Sequence, residues 1–556
     1  MAGKCRINKS FNACRIILFL LVLFGLSACA SRIPPSGGPK DSKAPEIVSS
    51  IPANGSTGFG GDVISFNFSE YVQLKDGGSG ILVSPPLNVP PQVLLKGKTV
   101  QMSFREKLHE NTTYSITIGK SVVDLTEGNA LQEHSLVFST GASLDSLSIK
   151  GAVADAFTAK PVASVLVMLY PALEDSLPEK TLPVKLARTD GSGKYQIDNI
   201  RQGTYMVFAL KDENNNYKYD LPEEKTGFLD SLVVLTPRLR SEIDFRISVN
   251  PEKRQRLLKK SFNQPGKVQL KYAVPVSEWR IQLADGRSES SWTAGFVPGT
   301  DSLIAWIPRP KKDSLVLYSE TVSDGKARID TLVFLTHTSP VARGRKSAEG
   351  RDTSLRFNMK LPGGKLIPDD TLTITASRPL LRVDPSRFHL LRGKDTIPFT
   401  FPDLLSEYQQ QYVVSGLPAS EKKHKILAYP GAFTDVYGMK NDTLFWEFQE
   451  FLEDELGIFS MLLKGNPGQG RWVWELVDKS GTVVLQSLFV PEKPLSIDNL
   501  IPGTYTVRLF RDENANNRWD HGNFYRKQQP EQILHYQGQI NVRAGWDIEQ
   551  TWELQP

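Results

Sequence analysis

The chain has 556 residues, 40% of them hydrophobic and 23% charged, with a formal net charge of only +5. A single core stops growing well below that length, so several domains are expected, and so weak a net field excludes an argument for nucleic acid. The three cysteines, Cys5, Cys14 and Cys29, all lie near the N-terminus, which excludes disulfides and Cys-based metal or redox sites from everything after them.

Taken in chain order, the first element is a targeting segment. Lys4, Arg6, Lys9 and Arg15 form a basic region, and residues 16–25 form an apolar run that is too short to span a bilayer. The run ends in L-S-A-C at Cys29, which resembles the bacterial lipobox. The resemblance implies a signal peptide over residues 1–28, cleavage before Cys29, and acylation of its thiol and amino group. Several acyl chains at about 0.8 kcal/mol per buried methylene would hold the chain on a membrane. Residues 29–44, rich in Pro, Gly and Ser, read as a flexible tether.

Residues 45–141 read as short alternating strands: V-I-S-F-N-F from Val63, V-Q-M-S-F from Val100, and Y-S-I-T-I from Tyr114. The phrases A-P-E-I-V-S-S-I-P-A-N-G, F-N-F-S-E-Y-V, D-L-T-E-G-N and F-S-T-G resemble the bacterial Ig-like domain of S-layer proteins (the SbsA type). That resemblance implies a sandwich serving as spacer or adhesive module. Residues 148–249 carry a first strand, a T-D-G-S-G-K-Y hairpin and a G-T-Y strand, which resemble prealbumin-like, carboxypeptidase-regulatory-like modules, including the Cna B type. The D-G-S-G run supplies the positive φ of a tight hairpin.

Residues 250–336 repeat the strand pattern in a β domain of unrecognised type, and residues 337–352 read as a basic linker. Residues 353–452 read as a worn copy of the Ig-like domain. There S-R-P-L-L-R-V-D takes the place of F-S-E-Y-V-Q-L-K, and H-K-I-L-A-Y-P-G-A-F-T-D-V-Y-G-M-K-N-D matches Y-S-I-T-I-G-K-S-V-V-D-L-T-E-G-N-A in outline only. Residues 457–556 are a second prealbumin-like module. Residues 197–220 return at 497–520 without a gap, including Gly203/Gly503 and Tyr205/Tyr505, and so specific a recurrence marks a duplicated module. The fold class expected is all-β, a string of tandem Ig-like and prealbumin-like sandwiches.

Three features bear on chemistry. Asp212, Asn214, Asn216 and Asp220 stand at positions 1, 3, 5 and 9 of a loop, with Glu223 at position 12, the oxygen-ligand spacing of a calcium loop. The second copy offers Asp512, Asn514, Asn516 and Asp520, with the weaker donor Asn523 at position 12. Similar loops in Cna B-type modules are read as calcium sites, so Ca2+ is the one cofactor candidate. Both loops lack Gly at position 6, where Tyr217 and Asn517 stand, and an Asx-turn hairpin without metal is the competing reading.

The second feature is a recurring Asp-Ser/Thr-apolar triplet at Ser146, Ser176, Ser231, Ser302, Ser314, Thr331, Thr371, Thr396 and Thr443. It resembles the O-glycosylation acceptor pattern of Bacteroidetes, and with the lipobox it fits a lipoprotein of that phylum. The competing reading is mechanical, because Asp-Ser and Asp-Thr end turns and an aliphatic residue opens the next strand. The third is the aromatic set Trp519, Phe524 and Tyr525, a binding platform if exposed and loop packing if not.

No H-E-x-x-H, G-x-S-x-G or P-loop occurs, and the seven histidines lack ligand spacing, so no enzyme is expected. The function expected is a non-enzymatic structural or adhesive scaffold, an outer-membrane lipoprotein facing periplasm or surface. Its partners would be the membrane, envelope proteins or glycans. The alternatives are a carbohydrate- or peptide-binding accessory protein and, less favoured, a hydrolase.

Overall fold

The computed structural model describes residues 42–554, except 79, 172–173, 175, 238–240, 251–254, 264–265, 274–275, 277, 287–291, 297–300, 308–313, 324–325, 336–354, 369, 394, 398–410 and 415–422. Cys29, the signal segment, most of the tether and the basic linker therefore lie outside the described residues. The chain is all-β and splits into two compact units, Met1–Val83 with Leu87–Leu144, and Ser84–Pro86 with Asp145–Pro556. No helix among the described residues is long and apolar enough to cross a membrane.

In the first unit the alternation read in the sequence is that of a half-buried strand. Val63–Phe68 alternates between half-buried and buried residues and lies in a four-stranded sheet with Ile47–Ile51, Thr99–Ser103 and Gln92–Lys96. Ile64, Phe66, Val100, Tyr114 and Phe138 meet in one core. Val72–Leu74 pairs with Val122–Asp124, and the buried Asp124 carboxylate accepts the amides of Glu127, Gly128 and Asn129.

Four large cores lie among the described residues of the second unit. The first joins Ile149, Val153, Val167, Tyr195, Ile197 and Val207, inside strands that include Leu147–Asp155, Leu166–Pro171 and Gly203–Leu210. The next gathers Val268, Leu270, Leu303, Leu317 and Leu332 between two small sheets. The third gathers Leu372, Leu390, Ile426 and Phe433. Here Leu380–Val383 pairs with Phe433–Asp435, and the buried Asp435 accepts the amides of Tyr437 and Met439. Asp435 accepts amides two and four residues on, where Asp124 accepts those three, four and five on, and it is also paired with the buried Arg378 at 2.7 Å. The fourth core contains Phe459, Met461, Trp474, Leu476 and Val507.

The duplicated modules share their strand register. Ile149 stands opposite Ile197 and parallel to Ser241, just as Phe459 stands opposite Ile497 and parallel to Ile548. The recurrent G-x-Y has a packing cause. A Cβ on Gly203 would meet the Tyr205 ring at 3.3 Å, and one on Gly503 the Tyr505 ring at 3.4 Å. Each Tyr hydroxyl donates to the carbonyl four residues upstream, on Arg201 at 2.8 Å and on Ile501 at 2.6 Å.

Candidate functional site: the seam between the repeated modules

The two acidic loops fold alike. Asp212 Oδ1 and Oδ2 accept the amides of Asn216 and Tyr217, and Asp512 accepts those of Asn516 and Asn517. Asn214 and Asn216 each donate an Nδ2 hydrogen to Asp220, at 3.0 and 2.7 Å, and Asn514 and Asn516 do so to Asp520. Positions 1, 3, 5 and 9 therefore converge as the spacing requires, but as a hydrogen-bonded turn. Positions 4 and 6 are left-handed, with φ of 58° at Asn215 and 61° at Tyr217, and of 61° at Ala515 and 59° at Asn517. The conformation that favours Gly is thus held by residues that pay strain for it.

The acid that closes the first loop is Glu224. Glu223 is exposed, whereas the Glu224 side chain is buried and accepts the amides of Glu213, Asp220 and Leu221. Burial pushes its pKa up, opposed by those three donors. In the second module the same role falls to Glu531, which accepts from Glu513 and Asp520 and is likewise pushed up by burial. The second loop also contains its own counter-charge. Arg471 is paired with Asp512 and donates to Asn517 Oδ1 at 2.6 Å. Among the described residues no group of three or more His, Cys, Asp or Glu is placed to hold a metal.

Glu531 lies seven residues further from Asp520's loop than Glu224 lies from Asp220's, since Glu224 follows Asp220 by 4 and Glu531 follows Asp520 by 11. Both copies regain register afterwards, Gly203 opposite Leu235 and Gly503 opposite Val542. The extra length forms a finger whose 3-10 turn, Phe524–Arg526, is capped by the Asn523 side chain. The finger enters the first module. Phe524 is fully buried, with Phe208 at 4.9 Å and Phe228 at 5.5 Å between ring centroids. The Gly522 amide donates to Ser248 Oγ at 3.0 Å and the Phe524 amide to Asn250 Oδ1 at 2.8 Å. Gln529 Nε2 donates to the Phe228 carbonyl and to Asp230. Tyr525 stacks on Tyr219 at 6.3 Å. Beside the finger, Phe157 packs on Trp519 and lies under the Arg508 guanidinium, and its carbonyl is 2.6 Å from His535 Nε2.

Trp519, Phe524 and Tyr525 therefore form no open platform. Phe524 and Tyr525 bind the other copy of their own module, and Trp519 also donates its indole N–H to the Glu531 carbonyl. In the same place, modules some 300 residues apart in sequence touch. Along the seam runs a cleft of about 350 Å³, bordered by Asp155, Phe157, Lys225, Trp519 and His521. Lys225 and Asp155, both of the first module, pair on its wall at 2.7 Å.

Of the triplet residues, Ser146, Ser231, Thr331, Thr371, Thr396 and Thr443 are exposed, and Ser176, Ser302 and Ser314 are half-buried. Several open a strand, as Ser302 opens Ser302–Trp306 and Ser314 opens Ser314–Ser323.

A family model for a bacterial Ig-like domain matches residues 41–140. No curated protein matches the chain. Among solved structures, the Bacillus anthracis TIE protein is similar at 8% identity, covering 98% of this chain and 79% of its own, with a TM-score of 0.14. BcpA, the major pilin subunit of Bacillus cereus, is similar at 10% identity over 73% of this chain and 98% of its own, with a TM-score of 0.14. The S-layer protein SbsC, domains 1–6, is similar at 10% identity over 90% and 67%, with a TM-score of 0.14. Scores this low carry no argument, and what the comparisons support is a bacterial Ig-like domain over residues 41–140.

Proposed function

We propose that this chain is a non-enzymatic structural scaffold of a bacterial cell envelope, lipid-anchored at Cys29 in the outer membrane. The observation that carries the reading is the clasp. Residues 148–554 spend a buried Phe, two buried amide hydrogen bonds and an aromatic stack on holding themselves together, which serves a load-bearing or spacing body rather than a flexible tether. The Ig-like match over 41–140 supports the same reading. Changing Cys29→Ser should move the protein from the membrane to the soluble fraction. Retention in the membrane would refute the anchor, and protease shaving of intact cells separates periplasmic from surface exposure.

A second reading, binding of a glycan or peptide, is supported by the seam cleft, whose paired charges and aromatic wall suit an uncharged ligand with an apolar face. Quenching of tryptophan fluorescence by envelope glycans is its test. Calcium belongs to the first loop in this proposal, because the second has Arg471 on Asp512. There Asn214 and Asn216 would have to turn their amide oxygens toward the ion. Calorimetric titration with Ca2+ should then find one site, lost in Asp220→Asn. The exposed triplets are proposed acceptors for O-linked glycan, tested by intact-protein mass spectrometry of material from the native cell.

A further inference from the structure

The strand Val483–Leu488 is the outer edge of the second module's sheet, and among the described residues it pairs only with Trp472–Asp478. Residues 482–491, T-V-V-L-Q-S-L-F-V-P, contain no charge. Val483, Val484, Leu488 and Val490 are 39, 42, 51 and 48% exposed. An open edge offers a row of unpaired amides and carbonyls, and proteins normally guard one with charge, proline or a cover. Here the only irregularity is a register shift at the Val483 end.

The first module shows what the same edge looks like when it is closed. Its counterpart strand, Lys185–Arg188, carries a charge at each end. Leu186, which stands opposite Met168 as Gln486 stands opposite Glu475, turns its amide outward and donates to Ser84 Oγ at 3.0 Å. Ser84–Pro86 belong to this compact unit. The duplicated architecture thus covers this edge once and leaves it open once.

We propose that Val483–Leu488 pairs antiparallel with the same strand of a second copy of this chain, joining two sheets into one across a two-fold axis. With Gln486 on the axis, Val484 of each copy faces Leu488 of the other on the outer face, the apolar cross-strand pairing that stabilises sheets. An uncharged run meets its own copy without like-charge repulsion, and an isologous contact needs only the one patch. A foreign charged peptide would find no complementary charge on this strand.

Sedimentation equilibrium of the full chain, with Cys29→Ser to keep it out of micelles, should show a concentration-dependent dimer. The double variant Val484→Lys/Leu488→Lys should stay monomeric with an unchanged melting temperature, while Ile329→Lys, on another exposed strand, should dimerise as before. A chain that is monomeric throughout, or a double-lysine variant that still dimerises, overturns the proposal. Amide hydrogen exchange over 483–488 of the otherwise unaltered chain gives an independent reading, since it should slow as the dimer forms. Exchange that is unchanged by concentration also overturns the proposal.

Discussion

Phe524 is one ring, yet it decides whether two modules are one body. It is fully buried between Phe208 and Phe228, and truncating a buried Phe costs about 3–5 kcal/mol. Phe524→Ala is therefore expected to open the clasp without unfolding either module, because no member of the fourth core is removed. Chemical denaturation should show an early transition split from the rest. Ser248→Ala leaves the buried Gly522 amide without its acceptor and should cost about 1–3 kcal/mol of the same transition. Strain in the acidic loops gives the opposite sign. Ala515 is held at φ 61°, a conformation that costs an L-residue about 1–2 kcal/mol. Ala515→Gly relieves it, partly offset by a freer unfolded chain, and should raise the melting temperature slightly. The oxygen positions of these loops were legible in the sequence because an Asx-rich turn is a local object. The closing acid was not. The strand Lys225–Phe228 sets which way its neighbours face, turning Glu224 inward and Glu223 outward, and a count along a loop cannot see that phase.

At the scale of elements, duplication was readable and docking was not. Alternation and turn chemistry act over a few residues, so the strands around Val63, Tyr114 and Gly203 announce themselves. The finger's partners lie 274 to 316 residues away, and the only trace is that the second copy runs seven residues longer before its Glu. Replacing residues 521–530 with the short connection 221–223 should leave the second module folded, since the first folds with that loop, while abolishing the seam. Amide exchange protection retained in Trp472–Asp478 and lost around Ser248 would be the readout. Another element carries a pH dependence. His424, at the start of His424–Ala428, is fully buried, and neither ring nitrogen has a hydrogen-bond partner among the described residues. Burial lowers its pKa, against the pull of Glu450, whose carboxylate is 3.6 Å away. The folded imidazole thus takes up its proton less readily than the unfolded one. Its contribution is intact above the ordinary His pKa and is lost as pH falls below it. The melting temperature should drop as pH falls below about 6.5, and His424→Phe should flatten that slope in a thermal scan across pH.

Within the second unit three contacts link the domains one to the next, and the covalent chain between the first module and the middle domain completes a circuit. The middle core reaches the domain of the third core through Ile304 and Trp306 against Val436 and Tyr437. That domain holds the turn Glu453–Glu455, which leads into the second module, through Lys365 and Glu455, 2.6 Å apart. The second module returns to the first through the finger. Closing a flexible loop of about 270 residues would cost near 5 kcal/mol of chain entropy, as much as the clasp is able to offset. Because the intervening domains already pack in pairs, few hinges are left free and the real cost is smaller, so the clasp holds. This predicts coupling at a distance. Weakening the Trp306–Tyr437 contact, by Trp306→Ala, adds a hinge to the loop and should raise the fraction of open clasps even though residue 306 is remote from the finger in sequence. Nitroxides at Ser231 and Gln528, both exposed and each next to a member of the Asp230–Gln529 hydrogen bond, report it. Electron-spin distance measurement should give one short, narrow distribution in the unaltered circuit, a second long population in Trp306→Ala, and mostly the long one in Phe524→Ala. A Trp306→Ala distribution identical to that of the parent would mean the seam closes on its own contacts and owes nothing to the domains between.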